Sequence, residues 1–102
     1  MILTADIGNS TTTLALFEEG GALALRSTYS TDPHATGDQF AIQLFSLFQL
    51  HQVEPAQIKG GIIASVVPPV TAALARAVER LTGKPPLIVG NGIRTGLDIR
   101  SD

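Results

Sequence analysis

The chain has 102 residues, 44% of them hydrophobic and 16% charged, with a net charge of −2 and no cysteine. That length allows one domain at most, burying roughly 65% of its unfolded surface on folding, and the balance excludes a disordered chain, a disulfide framework and a thiolate zinc site. The seven Lys and Arg residues are scattered and form no basic stripe for nucleic acid, while no apolar run approaches the ~18 residues of a membrane span. The N-terminus enters a strand pattern without a basic leader region, so a cytoplasmic protein with no membrane partner is expected.

In chain order, residues 1–7 read as a first strand, 12–18 as a second and 22–29 as a third, with Glu19-Gly20-Gly21 as the intervening turn. These three form an antiparallel meander. A polar stretch over residues 30–36 leads into a helix over 37–52, where Phe40, Leu44, Leu47, Phe48 and His51 recur at helical spacing. Residues 58–67 read as a fourth strand, and the continuously small or apolar run 60–67 within it predicts burial on both faces. Pro68-Pro69 ends that strand and opens a second helix to residue 82, with Gly83 as its terminator. A fifth strand is expected at 87–89, and residues 95–100 read as a further short strand. Strand meander, helix, strand, helix, strand predicts an α/β fold: a mixed sheet with helices on its faces.

The most informative segment is Asp6-Ile7-Gly8-Asn9-Ser10-Thr11-Thr12-Thr13, set between two apolar runs. An apolar strand delivers one carboxylate to a tight turn, Gly8 and Asn9 can take positive φ, and four hydroxyls follow. Such a turn directs N–H groups and hydroxyls at an anion, and Asp6 stands where a hydrated divalent metal would bridge to phosphates. A plain hairpin turn is the alternative on this pattern alone.

Other candidates read as structural. Ser65 at the end of the fourth strand is more simply a serine satisfied by backbone than a ligand contact, although that end of the sheet would face a ligand cleft. His34 and His51 lack a partner at metal-ligand spacing. Asp32 precedes Pro33 as a turn residue, Asp38 sits near a helix start, and Arg76, Glu79 and Arg80 form a solvated helix face. Gly83-Lys84 is followed by Pro85 and preceded five positions earlier by Val78, so no P-loop is present. No dinucleotide fingerprint, nuclease carboxylate cluster or nucleophile elbow appears.

Four segments in order, Asp6-Ile7-Gly8-Asn9-Ser10, Leu14-Ala15-Leu16-Phe17, Ser65-Val66-Val67-Pro68 and Thr95-Gly96-Leu97-Asp98-Ile99-Arg100, resemble the type III pantothenate kinase family across nearly the whole chain. The resemblance implies a ribonuclease-H-like, actin-like ATPase fold in which Asp6, Gly8, Asn9, Ser10, Thr11, Thr12 and Thr13 hold the ATP phosphates and Asp6 holds the metal. It implies transfer of the ATP γ-phosphoryl group to the primary hydroxyl of pantothenate, the first step of coenzyme A synthesis, by a homodimer. ATP and Mg²⁺ are the implied cofactors, with a monovalent cation, K⁺ or NH₄⁺, left open.

The family's general base lies in a Gly-Ala-Asp-Arg motif expected beyond Asp102, so no catalytic residue is assigned within the chain. Residues 1–102 are accordingly expected to be the N-terminal actin-like domain, cut before its last helix and without the second domain, and inactive alone. Such a cut would expose apolar sheet surface. Ser101 stands where the family often has a pantothenate-pocket Tyr, and Arg94, Asp98 and Arg100 fit an interface or ion-pair role as well as catalysis. A second reading stays open: a non-catalytic phosphate-binding module or transcription-accessory relative of the same family.

Overall fold

Leu3, Ala5 and Ile7 alternate with Ile2, Thr4 and Asp6, and that period of two decides which side of the sheet is buried. The computed structural model describes residues 1–90. Its elements are β1 (Ile2–Ile7), β2 (Thr11–Phe17), β3 (Leu23–Ser30), α1 (Gly37–Leu50), a 3-10 turn (Pro55–Gln57), β4 (Gly60–Ser65), α2 (Pro68–Thr82) and β5 (Leu87–Gly90). The expected meander and the helix-strand alternation after it are both present. The expected segment 95–100, with Arg94, Asp98, Arg100 and Ser101, lies outside the described residues.

The five strands form one mixed sheet in the order β3-β2-β1-β4-β5. The meander pairs are antiparallel, whereas β4 lies parallel to β1 and β5 parallel to β4. Register puts Leu3 beside Leu16 and Gly61, Ala5 beside Leu14 and Ile63, and Ile7 beside Thr12 and Ser65, all on one face. Phe40, Leu44 and Phe48 of α1 and Val70, Leu74, Ala77 and Val78 of α2 join that face in a single buried cluster.

Both helices therefore cover the same side, which corrects the expectation of helices on both faces. The topology explains it. The crossovers from β3 to β4 and from β4 to β5 step in the same direction along the sheet, and two right-handed crossovers of that kind put their helices on one face. The expectation that β4 is buried on both faces fails for the same reason: Ile63 is 1% exposed, but its neighbour Ile62, on the open face, is 40% exposed.

Local signals set the helix ends. Thr36 caps α1, its hydroxyl accepting from Gln39 N at 3.2 Å while the Gln39 side chain accepts from Thr36 N at 2.8 Å. α2 starts on Pro68 and ends at Gly83, whose φ of 79° is the left-handed conformation that lets the chain leave the helix. His51 is the exposed C-cap of α1, and Asp32 accepts from His34 N at 2.9 Å in the expected turn. Arg80 reaches from α2 to Asp38 of α1 at 2.8 Å, so one member of the solvated face also ties the helices together.

Candidate functional site

The carboxyl ends of β1, β4 and β5 lie side by side, with Ile7 paired to Ser65 and Ser65 to Gly90. The β1–β2 turn stands at this edge, and α1 and α2 both begin on the same edge because each follows a strand that runs toward it. Ligands of open α/β sheets gather at such carboxyl edges. Ser65 itself is satisfied locally, accepting from Val67 N at 2.9 Å, which agrees with its structural reading.

The turn is a two-residue connection, Asn9-Ser10, closed by Gly8 N donating to the Thr11 carbonyl at 2.9 Å. Neither Gly8 nor Asn9 takes positive φ, against the expectation from their residue types. Gly8 instead eases a close approach: a Cβ there would stand 3.3 Å from the Thr11 carbonyl oxygen, a tight contact. Without positive φ this is not the primed turn that usually supports a two-residue hairpin. Its support comes from Thr31, just past β3. Thr31 N donates to the Ser10 carbonyl at 3.0 Å, and the Thr31 hydroxyl donates to the Gly8 carbonyl at 2.8 Å. Among the described residues, no group accepts from the N–H of Asn9 or of Ser10.

The residues predicted as a phosphate cradle are divided by the strand alternation. Gly8, Asn9 and Ser10 form the tip, with Asn9 and Ser10 exposed. Asp6, Thr11 and Thr13 project from the open face, where Asp6 pairs with Thr13 across the strands and the Thr13 and Thr28 hydroxyls lie 3.4 Å apart. Thr12 points to the covered face, is 1% exposed, and places its hydroxyl 2.7 Å from that of Thr31. Its hydrogen-bonding capacity is spent inside the fold.

Asp6 is exposed, and among the described residues no cation pairs with it. No group of three or more His, Cys, Asp or Glu gathers among those residues either. Of the described residues at this edge, Asp6 offers the carboxylate that could hold a divalent cation, a hard oxygen donor of the kind that suits a partly hydrated Mg²⁺. A separate apolar hollow of about 450 Å³ opens between β2, β3 and α1, lined by Leu14, Tyr29, Ile42 and Leu50 among others, and includes no turn residue.

Thr31 is the residue that sequence reasoning missed. A signal existed in the register of the meander: with Thr11 opposite Ser30, the next pair is Ser10 and Thr31.

The profile of the type III pantothenate kinase family matches residues 2–102. A type III pantothenate kinase of Bacillus cytotoxicus is 40% identical over 100 residues, which is 98% of this chain and 38% of that protein. One from Listeria welshimeri is 37% identical over 102 residues, 100% of this chain and 39% of its own length. The chain therefore spans about two-fifths of these relatives. Among solved structures, a ROK family transcriptional regulator superposes with a TM-score of 0.62 at 15% identity, covering 88% of this chain and 27% of that one. The ROK hexokinase of Thermus thermophilus superposes at 0.59 with 14% identity, covering 87% and 34%. At such identities the likeness is one of fold, the α/β actin-like ATPase or ribonuclease-H-like architecture. With a family profile matched from residue 2 to the last residue, the chain belongs to the type III pantothenate kinase family.

Proposed function

We propose that this chain is the ATP-phosphate-holding part of a kinase that phosphorylates pantothenate, the primary hydroxyl taking the γ-phosphoryl group. The observation that carries this reading is the Asn9-Ser10 turn, whose N–H groups have no acceptor among the described residues and which follows Asp6, an exposed carboxylate with no cation partner among those residues. Family membership supplies the substrate side of the proposal.

In this reading the N–H groups of Asn9 and Ser10 and the exposed hydroxyls of Ser10 and Thr11 donate to phosphate oxygens. Gly8 keeps the turn tight enough for backbone to approach them. Thr13 stands one row further along the open face, and Thr12 serves from inside by holding Thr31. Asp6 would hold Mg²⁺ directly or through water, and the metal would supply charge neutralisation at the phosphates. Phosphoryl transfer depends mainly on such positioning and neutralisation, because its loose transition state asks for little covalent help. None of residues 1–90 is assigned as the base on the pantothenate hydroxyl. A cytoplasmic homodimer, with the second domain and base supplied downstream, completes the proposal.

The test is a coupled assay on the protein at its native gene length, with ATP, Mg²⁺ and pantothenate, reading phosphopantothenate by mass. Product formation above the no-enzyme blank is expected. ATP binding without product would contradict the kinase reading and favour a phosphate-binding relative.

A further inference from the structure

We propose that Thr31 is a positioning residue for the β1–β2 turn: it holds the turn in the arrangement that presents amide N–H groups to an anion. This inference rests on the phosphate-binding reading of that turn. A turn with no residue at positive φ lacks the geometry that lets two-residue hairpins stand alone, so its conformation must be held from outside. Thr31 touches it at two carbonyls, Gly8 through its hydroxyl and Ser10 through its N–H.

Peptide planarity turns those two contacts into a statement about donors. In a trans peptide the C=O of one residue and the N–H of the next point in opposite directions. Drawing the Gly8 carbonyl toward Thr31 therefore turns the Asn9 N–H away from Thr31, while the bond from Thr31 N to the Ser10 carbonyl fixes the other end of the turn. The Asn9 N–H is aimed outward because the Gly8 carbonyl is held inward.

The hydroxyl chain has a fixed direction. Since the Thr31 O–H donates to Gly8, its oxygen can only accept from Thr12, whose hydroxyl is 2.7 Å away and whose side chain is 1% exposed. The order is Thr12 to Thr31 to Gly8, an aligned chain whose members strengthen one another. It also explains why a hydroxyl, and not merely a β-branched side chain, is wanted at 31. Valine would fill the same space while leaving the Gly8 carbonyl and the buried Thr12 hydroxyl without partners.

The experiment compares Thr31→Val, Thr31→Ser and Asp6→Asn with the parent protein at native gene length. MgATP affinity is measured by calorimetry, and kcat and KM are measured for ATP and pantothenate separately. Thr31→Val is expected to weaken MgATP about tenfold, the size of one or two lost hydrogen bonds, raising KM for ATP while KM for pantothenate stays within about twofold. Thr31→Ser is expected to restore MgATP affinity to within about threefold of the parent.

Parent-like MgATP affinity in Thr31→Val beside a large loss in Asp6→Asn would overturn the role of Thr31 alone. Parent-like affinity in both would overturn the phosphate reading and the Thr31 role with it. A Thr31→Val protein that melts earlier, weakens both substrates equally and is not rescued by serine would show a merely structural hydroxyl and also overturn the proposal.

Discussion

The two faces of the sheet are built from the same strands, yet they do different work. On the covered face Leu3, Ala5, Ile7, Leu14, Leu16 and Ile63 are sealed beneath α1 and α2. On the open face the residues between them, Ile2, Thr4, Asp6, Thr13 and Ile62, remain partly or fully exposed. The open face is itself divided. Its carboxyl edge carries Asp6, Thr11, Thr13 and Thr28, whereas Ile2, Ile62 and Leu87 lie further from the turn and are 39%, 40% and 64% exposed. Under the proposed function, alternation lets one strand serve stability and chemistry at once, because neighbouring residues face opposite ways. Ala5 and Ile7 hold β1 in the core on either side of Asp6, which leaves the Asp6 carboxylate exposed on the open face.

The sharpest way to break this comparison is at its chemical end. Asp6→Asn should lower kcat/KM for ATP by about 10³-fold, equivalent to about 4 kcal/mol, with the circular-dichroism spectrum and melting temperature unchanged. A variant that keeps its turnover would remove Asp6 from the site.

Next in size is a pair of adjacent substitutions on opposite faces. Ile63→Ala should destabilise by about 3 kcal/mol, since it opens a cavity under the helices, and Ile62→Ala by less than about 1 kcal/mol. Denaturant unfolding of the two variants measures the difference directly. Equal costs would mean that the open face is as well covered as the other in the native protein.

At a smaller scale, Thr36→Ala removes one half of the capping box of α1 and should cost about 1 kcal/mol. Turnover per folded molecule should not change, because the Thr36 hydroxyl accepts from Gln39 N within the cap and is no part of the proposed phosphate cradle.

The smallest expected effect is one of pH. The Tyr29 hydroxyl oxygen is buried with no partner among the described residues, and burial raises its pKa above the ordinary 10.0. The folded state favours the neutral phenol, so this contribution to stability is fully present below pH 10 and is lost as pH rises through the raised folded value. Melting temperatures recorded from pH 8 to 11 should fall more steeply for the parent than for Tyr29→Phe, which has no phenol to ionise.

Much of this arrangement was legible in the residues themselves. Pro68 and Gly83 bound the second helix because each acts on its own backbone, and the structure places that helix at Pro68–Thr82 as expected. The meander was legible for the same reason: turn residues separate short apolar runs. What could not be read depends on contacts between elements. The sides taken by α1 and α2, and hence the exposure of Ile62, follow from sheet order and crossover direction. The burial of Thr12 follows from register, since its neighbours Thr11 and Thr13 are identical in type but face the other way. Thr31 lies outside the motif and meets it only across the β2–β3 ladder. The positive φ expected of Gly8 and Asn9 failed because Thr31 supplies from a distance the support that such a turn normally supplies to itself.

ATP phosphates seated on the Asn9-Ser10 turn beside Asp6 are what the proposed function requires. Its most direct test is a titration of MgATP into the ¹⁵N-labelled protein at native gene length, following the backbone amide resonances. The largest shifts are expected at Asn9, Ser10 and Thr11, abolished by Asp6→Asn, with Gln49 and Leu50 of α1 unmoved. Binding that leaves the turn amides unmoved and shifts residues around the Tyr29–Ile42 hollow instead would contradict it.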